Sequence, residues 1–198
     1  MALTLPEPPA ASRQSLQAGL QRIDAADRAP ALEMAGGAPP NVTVPQQLFV
    51  MGLDEVTQGA SLDAARQTGW RYLLTKPPAM GGTAVAAAEV HQVGNEHRFA
   101  QLQQGYLSEE TRKAINIARS LPQVAGGNYE LRALRIPALM VDAVWLKDQT
   151  GDNDLVLPIR SNVPALTDGQ AYPEKEFLDR LQDAAAKKSA FDDRPQRT

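Results

Sequence analysis

Apolar positions recur along this chain with two periods, and the period changes mark its elements. Leu16, Leu20 and Ile23 recur at helical spacing over residues 12–26, with Ser12 placed to cap, which predicts a short amphipathic helix. Gly36-Gly37-Ala38-Pro39-Pro40 breaks it, and extended chain through Val42, Val44 and Pro45 follows. The apolar run Leu48-Phe49-Val50-Met51 suits a strand or a docking segment. Ser61 and Asp63 open a short helical stretch that Gly69 closes. Trp70 to Leu74 alternates bulky and polar residues as a strand does, and Lys76-Pro77-Pro78 ends it. Residues 83–93 read as a further strand, because Gly81-Gly82 and Gly94-Asn95 bound an alanine run that would otherwise suit a helix.

A two-residue turn at Gly94-Asn95 fixes a hairpin register in which Val90 faces Phe99 and His91 faces Arg98. Ser108, with Glu109 and Glu110 behind it, is expected to cap a helix carrying Ala114, Ile115 and Ala118, with Pro122 at its end. Residues 129–136 form a strand; Pro137 interrupts it and residues 138–147 continue as strand. After a turn at residues 148–154, residues 155–159 return antiparallel. The last element carries Phe177, Leu178, Leu181 and Ala185 on one stripe, with Pro173, Glu174 and Glu176 at its start and Lys187-Lys188 in its last turn.

Strands, helix, strands, helix is an α+β order: a mostly antiparallel sheet of about five strands covered on one face by two helices, with an extended N-terminal arm. Residues 1–45 are expected to form a separable arm with one amphipathic helix, residues 46–190 a single α+β domain, and residues 191–198 a frayed tail.

Composition narrows the function more than it defines it. Twenty basic against 23 acidic side chains leave a formal net charge of −3, without the basic footprint of a general nucleic-acid binder. The absence of cysteine removes disulfides, thiolate metal sites and a cysteine nucleophile. No apolar run is long enough for a membrane-spanning helix. The first residues show neither a positive n-region nor an apolar h-region, so a cytoplasmic location is the expectation. Neither glycine-rich phosphate cradle nor a GxSxG elbow is present, and His91 and His97 are too few for HExxH. No cofactor and no metal are expected.

Two weak catalytic candidates remain. Glu89 and His91 lie two apart on a strand and share a face, and the hairpin adds Arg98: a carboxylate to orient an imidazole base, and an arginine to hold an anion. The plainer reading of these three is a solvent-facing charged patch. Asp142, inside the apolar run Leu139 to Trp145, is costly to bury unless paired, with Arg71, Arg132 or Arg135 as partner. The plainer reading there is a structural ion pair or a wet sheet face. The oxygen-rich loop Asp148 to Asp154 lacks EF-hand spacing and reads as a hairpin loop.

Tyr72, Tyr129 and Trp145 are candidates to line a ligand pocket between sheet and helices. The expected function is therefore a non-catalytic protein-interaction module, docking another protein through the N-terminal arm, with no nucleic acid and no membrane as partner. A small-ligand sensor or carrier is the alternative, and an enzyme using Glu89, His91 and Arg98 the second alternative.

Overall fold

A computed structural model describes residues 3–23, 41–75 and 84–192. The chain is α+β, and its strands join one mixed, eight-stranded sheet. The elements in chain order are α1 (Ala10–Arg22), β1 (Asn41–Val50), α2 (Leu53–Thr57), β2 (Arg66–Thr75), β3 (Ala84–Val93), β4 (Glu96–Gln104), α3 (Tyr106–Ser120) and α4 (Pro122–Gly126). They continue with β5 (Tyr129–Ile136), β6 (Val141–Asp148), β7 (Leu155–Arg160), β8 (Tyr172–Pro173) and α5 (Glu174–Asp192). Single 3₁₀ turns at Leu62–Ala64 and Pro137–Leu139 join neighbours.

The spatial order is β4-β3-β2-β1-β5-β6-β7-β8, so two antiparallel halves meet at the parallel pair β1–β5. This is larger than the five-stranded, mostly antiparallel sheet expected. The extended residues from Asn41 pair with β2 as part of β1, and β2 itself begins before Gly69 rather than after it. The Pro137 break is a reversal instead of an interruption. Its 3₁₀ turn ends on Met140 in the left-handed region, and β6 then folds back along β5 with Ile136 opposite Val141 and Tyr129 opposite Asp148.

Helices cover both faces, not one. Side chains alternate along a strand, so Val144, Leu146 and Leu157 pack with Ile115 and Ala118 of α3 on one face. Ala143, Trp145 and Val156 pack with Phe177, Leu181 and Ala185 of α5 on the other. That second face also receives α1, whose Leu16 is buried against Trp70, Tyr72 and Val90. Ser12 does not cap α1: Pro9 precedes the helix, and the Ser12 hydroxyl lies 2.7 Å from the Tyr72 hydroxyl. Ahead of α1, Thr4 pairs with β5 through Thr4 N–H to Tyr129 O (2.8 Å) and Leu131 N–H to Thr4 O (3.0 Å). The expected helical residues 24–26, the glycine-proline break at 36–40 and the strand end at 76–78 lie outside the described residues.

The Gly94-Asn95 hairpin has the expected register, Val90 opposite Phe99 and His91 opposite Arg98, with Gly94 at φ 60°. α3 starts three residues earlier than expected, with Gly105 in place of Ser108 at its cap, so Ser108 lies in its first turn and donates to the Gln103 carbonyl.

The sheet curls toward its α3 face. Arg71 on β2 reaches Asp142 on β6 with β1 and β5 between them, three spacings or about 14 Å in a flat sheet. Gln103 of β4 and Arg160 of β7 line one small cavity although six spacings, roughly 29 Å when flat, separate their strands. Bulges help it bend: the β3–β4 register shifts at Glu89/Val90, and the β6–β7 register shifts at Asp142/Ala143. None of the described helices is long and apolar enough to cross a membrane.

Candidate functional site: a charged cluster on the concave face

The two bulges flank a cluster of five charged side chains. Cross-strand partners share a face, so the pairs Arg71 with Glu89, Arg135 with Asp142, and Asp142 with Arg160 bring all five to the concave side. α3 fills one end of this concavity with apolar packing, and the charged cluster occupies the rest.

Glu89 lies at its centre with a side chain that has no exposed surface. Arg71 Nη2 approaches Glu89 Oε1 at 2.8 Å and Arg71 Nε donates to the same oxygen at 3.0 Å. Arg135 Nη2 adds a further bond at 2.8 Å, and Gln101 Nε2 donates to Glu89 Oε2 at 2.8 Å. Asp142 accepts from Arg71 Nη2 (3.3 Å), Arg135 Nε (3.0 Å) and Arg160 Nη2 (3.0 Å). Burial alone pushes the Glu89 carboxyl up. The Arg71 and Arg135 charges, with hydrogen bonds from Arg135 and Gln101, outweigh that and hold it down at about 2. Asp142 follows the same balance: burial raises its pKa, and Arg71 and Arg135 bring it below the usual carboxylate range.

Three guanidiniums against two carboxylates leave one positive charge over. Arg160 carries it outward: its side chain is 54% exposed, against 1% for Arg71. Arg160, Arg135, Asp142 and Gln103 line a shallow cavity of about 150 Å³ whose remaining wall is Pro137, Met140 and Val141. Gln103 Oε1 and Arg71 Nη1 are buried and have no partner among the described residues, and neither does the amide of Gln46, the β1 neighbour of Arg71. The cluster thus has unspent hydrogen-bonding capacity beside a cavity bordered by arginine.

The sequence candidates are distributed across several places. Glu89 and Asp142, considered separately in the sequence, share Arg71 and Arg135. His91 borders the cluster, half-exposed, with Nε2 3.6 Å from Glu89 Oε2, beyond hydrogen-bond reach. Arg98 stands opposite His91 in register, but its guanidinium turns to Glu96 (2.8 and 3.1 Å) in solvent. Arg132 points to the convex face, 4.8 Å from both the Phe49 and Trp145 rings. Tyr72, Tyr129 and Trp145 are not gathered around one cavity: Tyr72 lies under α1, Tyr129 in the α3 core and Trp145 in the α5 core. In the loop after β6, Asp154 accepts from Trp145 Nε1 (2.7 Å) and the Asp148 amide (2.9 Å), while Asp148 accepts from Thr150. Among the described residues no group of three or more histidine or acidic side chains is placed to hold a metal ion.

Arg160, Gln101 and Gln103 were missed in the sequence. Their signal was weak: each is one polar residue in a strand, and only the curl of the sheet makes them neighbours of Glu89 and Asp142. Comparison with protein-family models, with curated protein sequences and with solved structures returns no significant match to this chain.

Proposed function

We propose that this protein is a non-catalytic binding protein that takes a small carboxylic acid with a short apolar tail into the concave-face cavity. The observation that carries this reading is that Arg135 and Arg160 border one cavity while the carboxylates beside them are already paired. Arg135 already engages Asp142 through Nε and Glu89 through both Nη atoms, whereas Arg160 reaches Asp142 through Nη2. Arg160 is therefore the guanidinium that meets the guest, a planar group that matches a carboxylate through two parallel N–H donors. Here Asp142 orients both arginines in advance, which reduces the ordering cost of binding. The excess positive charge favours an anion. Pro137 and Met140 supply apolar surface for the tail, and about 150 Å³ limits the guest to a few heavy atoms.

The other two readings have less support. A carboxylate held at about 2 is a weak proton acceptor at neutral pH, and His91 lies too far from it to be oriented by it. Docking of another protein through the N-terminal helix has to compete with that helix's own packing, since Leu16 is buried against the sheet.

Calorimetric titration of the full chain with propionate, sulfate and propylammonium tests the reading. Propionate is expected to bind saturably, sulfate more weakly and propylammonium not at all. Arg160→Gln is expected to weaken propionate at least about tenfold, the loss of one charge-assisted bond, while stability moves by less than about 1 kcal/mol because the Arg160 pair is half in water. Propionate binding that Arg160→Gln leaves unchanged, or no binding by any probe, refutes it.

A further inference from the structure

On the convex face, α1 crosses the edge strand β4 and leaves a cavity of about 630 Å³ between them, within the range of sites for small organic ligands. The contact that opens it is close. A Cβ on Gly19 would fall 2.1 Å from Phe99 Cγ, so the bare glycine lets the helix rest directly on the Phe99 ring. Beside this contact, Ala18, Ile23 and Phe99 line the apolar part of the cavity.

The polar groups around this space are unevenly satisfied. Ser15 donates to the His97 carbonyl oxygen. Both ring nitrogens of His97, however, are buried without a partner among the described residues. A neutral imidazole carries one donor and one acceptor, and buried polar groups in folded proteins are nearly always paired. Arg22 and Arg98 stand at the rim, Arg98 tied to Glu96. Two guanidiniums against one carboxylate make the mouth positive, although the C-terminal carbonyls of α1 offset part of that charge.

We propose that the α1–β4 cleft is a second binding site, for an amphipathic carboxylate larger than the concave cavity admits: an aliphatic or aromatic body over Phe99, Ala18 and Ile23, and a carboxylate at the rim arginines, with the His97 ring in the cleft wall. The site is on the opposite face of the sheet from Arg135 and Arg160 and does not depend on the reading given to them.

The test follows the His97 ring nitrogens by NMR in the full chain during titration with octanoate, octylammonium and propionate. Octanoate is expected to shift both nitrogens saturably, with half-saturation below about 1 mM; octylammonium and propionate are not. Ala18→Phe, which fills the space from a helical position, is expected to weaken octanoate more than about tenfold, and Arg22→Gln about fivefold or more. Arg160→Gln is expected to leave octanoate unchanged. The proposal is overturned if His97 does not respond up to about 10 mM octanoate, as for a ring that only hydrates. It is equally overturned if octylammonium shifts the ring as octanoate does, if Ala18→Phe and Arg22→Gln both titrate as the parent chain, or if Arg160→Gln abolishes the response.

Discussion

Glu89 is a carboxylate with no contact with solvent, placed directly after the run Ala-Val-Ala-Ala-Ala in its strand. Its burial is tolerable because Arg71 and Arg135 surround it, and the same contacts make its charge a determinant of stability. Its pKa falls from an ordinary 4.5 to about 2 on folding. Because the folded value is the lower one, the stabilisation is complete above about pH 5 and is lost as pH falls from there toward 2. Asp142 shifts in the same direction and adds to this window. Glu89→Gln is therefore expected to cost about 3–5 kcal/mol at neutral pH, since it leaves the buried Arg71 with only its longer contact to Asp142, and to flatten the acid side of the profile. Urea unfolding at a series of pH values checks both, and a variant as acid-sensitive as the parent chain contradicts the assignment. At this scale the sequence was partly readable. Acids at 89 and 142, each among apolar neighbours, stood out as needing partners, but nothing local distinguished Arg71 and Arg135 from Arg132, whose strand position sends it to the other face.

Elements were legible where their pattern is self-contained. The α5 stripe of Phe177, Leu178, Leu181 and Ala185 is buried as its periodicity implies, and the Gly94 hairpin has the register its turn dictates. Elements defined by distant partners were not. Leu16, Leu20 and Ile23 announce a buried helical face without saying what buries it, and the proline-rich composition around them resembles a detached arm. In the fold, α1 packs on Trp70 and Tyr72, Thr4 bonds with β5, and residues 41–43 pair with the end of β2. A chain starting at Pro45 is therefore expected to lose at least the roughly 2–5 kcal/mol typical of removing one buried leucine, and to bind ANS at the uncovered Trp70, Tyr72 and Val90. Thermal unfolding and ANS fluorescence of that chain measure this; an unchanged melting temperature with no ANS signal would show residues 1–44 to be separable after all.

At the scale of the whole molecule, strand order and curl were beyond local pattern. The parallel pairing of β1 with β5 spans three intervening strands and three α-helices of sequence, and no turn residue encodes it. The one-residue offsets at Glu89 and Asp142 depend on how neighbouring strands bend around α3. That curvature turns scattered polar residues into one cluster, and the proposed function requires its cavity to receive an anion. The most direct measurement is NMR of the arginine Nε–H groups in the full chain during a propionate titration at constant ionic strength. Arg135 and Arg160 are expected to move saturably and together, while Arg132, on the same strand as Arg135 but facing the other way, stays still. Arginine resonances that do not respond, or that all drift in parallel, would contradict the proposed function.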